Sequence, residues 1–262
     1  MGDDYRISQI MEKHLEAIDL QMDAMIASDF DHLQIHLLRE RIREFRALMF
    51  FNIAHIRPAD YRMIEFVSKK VFNMTSLIRE IDVFENGYRD YMSSDTLAKL
   101  AEIKAPLVNG IKEEIEETNG FRFHQVKIHV KPFKSKEKES RCFSARQCEL
   151  FNQFIELDES RFSEEKYIHS KRMLAKKLIY IHRILMTDRQ DLEALNLELE
   201  SFQEIAKKVH DVCVNLRFVG QYALEDHLLI NKLIEDHARY AREAEDQYLL
   251  TCNVIKRYLD EK

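Results

Sequence analysis

Residues 36–46 read HLLRERIREFR, with four arginines, one histidine and two glutamates in eleven positions of a chain whose formal net charge is −6. Each residue of an α-helix advances about 100°, so His36, Arg39, Arg43 and Arg46 fall within a stripe about 80° wide. Leu37, Leu38, Ile42, Phe45, Leu48 and Met49 fill much of the remaining circumference, and Arg41 lies off the stripe. The stretch therefore reads as a helix that is apolar against its own bundle and cationic along the neighbouring edge. Such a helix is stable only where the rest of the chain supplies partners for its apolar side.

The rest of the chain is composed to do so. Only five glycines and three prolines occur in 262 residues, with 45% hydrophobic and 33% charged residues. This is the composition of long uninterrupted helices with enough apolar surface to offset ordering entropy, and it predicts an all-α protein. The length allows one large domain or two smaller ones. No apolar run approaches the roughly 18 residues of a membrane span, and the first twenty residues, MGDDYRISQIMEKHLEAIDL, are charged throughout. A soluble, cytoplasmic protein is expected. Cys142, Cys148, Cys213 and Cys252 show no CxxC and no framework spacing, which fits reduced thiols.

Helices are expected over about 5–27, from the caps Ser28 and Asp29 to about 54, from Pro58 to the ENG at 85–87, and from the SSD at 93–95 to about 118, with Pro106 bending the last. Residues 119–140, NGFRFHQVKIHVKPFKSKEKES, hold Gly, Pro, β-branched residues and lysines without a sustained helical period, so 119–143 reads as a linker or extended excursion. Four further helices follow, at about 144–157, 163–187, 189–219 and 222–260. The expectation is thus two four-helix halves, 1–120 and 144–262, within one 262-residue domain.

The opening stripe has an echo. In HSKRMLAKKLIY, residues 169–180, His169, Arg172 and Lys176 repeat the steps of three and seven, and Tyr180 joins their face. Downstream, SLIREIDV at 76–83 and AKKVHDVCV at 206–214 place Arg79 and His210 at similar distances from the two stripe histidines. Duplicated bundles commonly meet about a pseudo-twofold axis, an arrangement that would set two cationic edges across a shared groove.

These residues resemble the CHAD domain, the conserved histidine α-helical domain. In the first half His36, Arg39, Arg43, Phe45 and Arg46 fit its pattern and Glu44 departs. Arg79, Asp82 and Val83 match its later RDxDV-like element, with Glu80 for the first aspartate. In the second half His169, Arg172, Lys176, Lys177, Leu178 and Tyr180 fit, Ile179 replaces a basic residue, and Gln203, His210 and Asp211 match its LQxxLGxxHDxxV element. The resemblance covers most of the chain. It implies two four-helix bundles in pseudo-twofold arrangement around a basic central channel that binds inorganic polyphosphate, with Lys177 joining the lining.

Arginine suits that ligand, because its fork donates bidentately to phosphoryl oxygens and stays charged at any working pH. Each contact releases counterions, so binding is expected to weaken steeply with salt. Histidines on the same face would strengthen binding as pH falls toward about 6.5, and Asp82 and Asp211 would orient neighbouring cations. Each of His36, His169 and His210 also has a plainer reading as a partly buried, hydrogen-bonded histidine. A single basic stripe is more often a solvated face paired with glutamates; its repetition, with the motif, favours anion binding. The lysine-rich stretch reads equally as an exposed loop or as an extension of a polyanion track through Lys131 and Lys134.

His124, His129, Cys142 and Cys148 form a ligand list without metal-site spacing, so neither metal nor cofactor is expected. No Gly-rich phosphate loop, nucleophile elbow or HExxH occurs, and no ExExK-type motif, so no enzymatic activity is predicted. Net acidity disfavours nucleic acid, and no amphipathic stretch calls for a membrane. The function predicted is non-catalytic polyphosphate binding, with protein partners at polyphosphate granules. The alternative is a helical interaction scaffold for phosphorylated or acidic segments.

Overall fold

The computed structural model describes residues 6–117, 122–126, 128–131, 136–158, 164–186 and 190–261. Among them are nine α-helices: α1 Arg6–Ala27, α2 His32–Phe51, α3 Pro58–Met74, α4 Ser76–Tyr88, α5 Ser94–Glu117, α6 Lys136–Ile155, α7 Glu165–Leu185, α8 Glu193–Gln221 and α9 His227–Asp260. The protein is all-α, as composition requires. No described helix is long and apolar enough to cross a membrane.

Three boundaries differ from the sequence expectation. The third predicted helix splits at Thr75, where Thr75 Oγ1 and Ser76 Oγ both donate to the Phe72 carbonyl at 3.2 and 2.9 Å. Two adjacent hydroxyls offer the backbone an alternative to helical bonding, so one helix becomes α3 and α4. Helix α2 is capped by Asp31, whose Oδ1 accepts from Leu33 N at 2.9 Å, and not by Ser28 or Asp29. Asp29 and Phe30 instead take left-handed backbone angles, φ 56° and 64°, and the buried Phe30 ring anchors that turn. Helix α6 starts at Lys136, inside the stretch read as a linker, because KEKES is made largely of strong helix formers.

The chain forms two compact units, one of residues 1–85 and 97–141, the other of 86–96 and 142–262. In the first, Met11, Leu15, Ile18, Met22 and Met25 of α1 recur at three-and-four spacing and are buried together with Ile35, Leu38, Ile42 and Phe45 of α2. Gln21 Nε2 of α1 donates to Gln34 Oε1 of α2 at 2.7 Å, setting their register. Helix α5 continues through Pro106.

Residues 122–126 and 128–131 are fastened to this unit by two buried carboxylates. Asp19 accepts from Phe123 N at 2.7 Å and His124 N at 2.8 Å, and meets His124 Nδ1 at 2.6 Å. Asp60 accepts from His129 N at 2.9 Å, meets its Nδ1 at 3.0 Å, and also takes the Arg57 guanidinium. Burial pushes the Asp60 carboxyl up, but Arg57 and His129 outweigh it and hold the pKa at about 2. An isolated bridge between Ile56 and Val130 completes the attachment.

The second unit has an aromatic centre. Phe154 meets Phe202 edge-on at 5.3 Å and Tyr248 at 5.2 Å between ring centroids. The buried Lys171 Nζ donates to the carbonyls of Gln153, Phe154 and Glu156, closing the C-terminal end of α6. Residues 86–96 join this unit through Tyr88 Oη, which donates to Asp236 Oδ2 at 3.1 Å, and Ser93 N, which donates to Asp226 Oδ2 at 2.7 Å.

Candidate functional site

Each unit carries one basic cluster. In the first, α2 brings Arg39, Arg43, Arg46 and the half-buried His36 along one edge, as the stripe predicts. Arg39 is only 7% exposed. Its guanidinium lies 3.6 Å from the centre of the Phe72 ring, and its Nη1 donates to Phe72 O, Thr75 Oγ1 and Ser76 Oγ, while Nε has no hydrogen-bond partner. Burial and then the like charge of Arg43, with Arg79 adding to it, lower the Arg39 pKa to about 9, still charged at neutral pH. Glu80 and Glu40 act on Arg39 in the opposite sense.

Arg43 extends over the same Phe72 ring at 5.0 Å and pairs with Glu40, and Arg46 lies 3.9 Å from Glu65. Arg79 comes from the first turn of α4, which exists as a separate helix because of the Thr75–Ser76 break. Asp82, expected to orient a neighbouring cation, is buried and takes Lys104 of α5 at 2.5 Å. Glu44, the departure from the resembling pattern, pairs with Arg41 on the other side of α2 at 3.2 Å.

In the second unit Arg172 and Lys176 of α7 are 6% and 8% exposed, and Lys177 is half-buried. The rings of His169 on α7 and His210 on α8 lie with centroids 4.7 Å apart, tilted 44° to one another. His169 Nδ1 and His210 Nδ1 are buried and make no hydrogen bond; His210 Nδ1 is 3.3 Å from Glu165 Oε1 but not aligned to donate to it. Arg217 of α8 reaches the same Glu165 oxygen at 3.1 Å. Asp211 is half-buried beside His210 in α8, and Ile179, the other departure, is buried in the core.

Burial, followed by Arg172, lowers the pKa of both rings, with Lys176 and Arg217 adding to it, and brings His210 to about 3. The expected gain of charge near pH 6.5 is therefore corrected for these two residues in the free protein: they are neutral imidazoles at physiological pH. Sequence periodicity placed them beside arginines but carried no information on how deeply both would be covered.

Of the possible extension, Lys131 is exposed, with its backbone N–H bonded to His55 O at 2.7 Å, and Lys134 lies outside the described residues. His124 and His129, considered as metal ligands, each meet an aspartate, and among the described residues no group of three or more His, Cys, Asp or Glu is arranged to hold a metal ion. Arg217, Lys104 and Phe72 were missed by sequence reasoning. Arg217 had a signal, since it lies two turns beyond His210 on the same helix face. Phe72 had none, because its stacking depends on where α3 packs.

No protein-family model matches the chain, and no curated protein matches it. Its fold is similar to the solved structure of PptA from Streptomyces chartreusis, with a TM-score of 0.59 and 12% identity over 95% of this chain and 98% of that one.

Proposed function

We propose that the chain binds inorganic polyphosphate without catalysing its turnover, through the two basic clusters on α2 with α4 and on α7 with α8. The observation that carries this reading is the crowding of like charge in both units. Arg39 and Arg43 both reach over the Phe72 ring, with the charge of Arg79 acting on Arg39, and the charges of Arg172, Lys176 and Arg217 act on the His169–His210 pair. A further anion offsets like charges brought together in a partly dehydrated setting, adding to what Glu40 does for Arg43 and Glu165 for Arg217. A polymer carrying about one charge per phosphoryl unit does so at successive residues, and arginine forks match its oxygens. The CHAD-like motifs in both halves support the same reading, and the fold likeness to PptA fits the helical fold that they imply.

The test is calorimetry with long-chain polyphosphate at two salt concentrations, for the wild type and for Arg43→Gln/Arg79→Gln and Lys177→Gln/Arg217→Gln variants. Binding that weakens steeply with salt, and by about tenfold or more in each variant, is expected. A folded wild type that ignores polyphosphate, or prefers a phosphopeptide over it, overturns the reading.

A further inference from the structure

Two histidine rings held close together and tilted 44° to one another are an unusual occupant of a cationic cluster. Histidine in contact with arginine and lysine is repelled when protonated, so such a pair is stable as neutral imidazoles, each with one ring N–H and one bare nitrogen. Here both Nδ1 atoms are buried without a hydrogen-bond partner, His210 Nδ1 lying 3.3 Å from Glu165 Oε1, and the ring centroids are 4.7 Å apart. A buried ring nitrogen left unpaired costs free energy that a ligand oxygen or a proton can recover.

The charged groups that act on the pair come from both helices that carry it. Glu165, Arg172 and Lys176 act from α7, and Arg217 acts from α8. The Cys213 thiol of α8 lies near Glu165 and Arg217 and is pushed up to about 11, chiefly by burial, so it stays neutral. Burial opposes protonation of the rings most, the cations add to it, and Glu165 favours it at His169. A phosphoryl group drawn onto Arg172, Lys176 and Arg217 would offset their charge and supply acceptor oxygens to ring N–H groups at the same time.

We propose that the His169–His210 pair takes up a proton when the second unit binds a phosphoryl anion, so that capture of the polyanion and local acidity reinforce one another. This rests on the polyphosphate reading and names a regulation of that site. The balance is simple: a proton from solvent adds to a ring nitrogen, the imidazolium so formed donates to a phosphoryl oxygen, and no bond of the polymer changes. The sign follows from linkage. The free pair holds fewer protons than the bound pair between the two pKa values, so affinity rises as pH falls through that window.

The experiment is calorimetry of long-chain polyphosphate at pH 6.0 in two buffers of different ionisation enthalpy. Long chains are used because their titrating terminal groups are few. The wild type is expected to take up about one proton per second-unit site and to bind about three- to tenfold more tightly at pH 6.0 than at pH 7.5. His210→Gln and His169→Gln, singly, are expected to lower that uptake. Heats independent of buffer, with binding intact, overturn the proposal while leaving the polyphosphate reading standing. Absence of binding by the folded wild type removes that reading itself. Should a variant fail to fold, the imidazole nitrogen shifts of the wild type, followed by NMR with and without polyphosphate, decide the matter. Rings that stay neutral at pH 6.0 in the complex refute it.

Discussion

Arg39 illustrates how one side chain in a basic stripe can serve the fold as well as charge. Its Nη1 satisfies the Phe72 carbonyl and two hydroxyls at the α3–α4 junction, and its plane covers the Phe72 ring. Arg39→Ala removes these bonds inside a buried site and is expected to cost about 2–3 kcal/mol, visible as a melting temperature lowered by roughly 5–10 °C. Arg39→Lys should recover little of it, because an ammonium neither stacks nor forks. A variant that melts like the wild type would show that the junction does not depend on this residue. For binding assays the exposed or half-buried Arg43, Arg79, Lys177 and Arg217 are therefore the more informative positions.

At the scale of elements, helix ends and attachments decide where the cations stand. Helix α8 closes with Leu224 N donating to Val219 O at 3.0 Å, which requires Ala223 to adopt φ 46°. Glycine takes that angle without strain, so Ala223→Gly is expected to stabilise the protein by about 0.5–1 kcal/mol and raise its melting temperature by a few degrees. An unchanged or lowered midpoint would contradict the strain. The attachment of 122–126 and 128–131 carries a pH signature. Asp60 has a depressed folded-state pKa of about 2 against an ordinary 3.8, so its contribution is present in full above about pH 4 and is lost as pH falls toward 2. Urea midpoints of the wild type and Asp60→Asn should differ most near neutral pH and converge below pH 4. A gap that stays constant down to pH 2 would assign the attachment to the backbone alone. Sequence periodicity gave most helices to within a few residues. It missed the Thr75–Ser76 break and the early start of α6, where hydroxyl competition and charged helix formers, and not apolar spacing, set the boundary.

For the whole molecule, ligand linkage provides the broadest check. Polyphosphate at about a hundred times its dissociation constant should stabilise the binding unit by about 2.7 kcal/mol, and the gain should shrink as salt is raised. A melting curve indifferent to polyphosphate at low salt would count against binding in either unit. Composition and helical period together determined the all-α class, the order of the helices and the edges on which the basic residues lie, because angular position about a helix axis is a local property of the chain. Tertiary structure alone decided that Arg39, Arg172 and Lys176 are nearly enclosed, that Phe72 lies under a guanidinium, and that His169 and His210 meet as neutral rings. Those properties depend on how closely neighbouring helices pack, and the resulting loss of water, which no spacing of residues encodes, sets the charge each group carries.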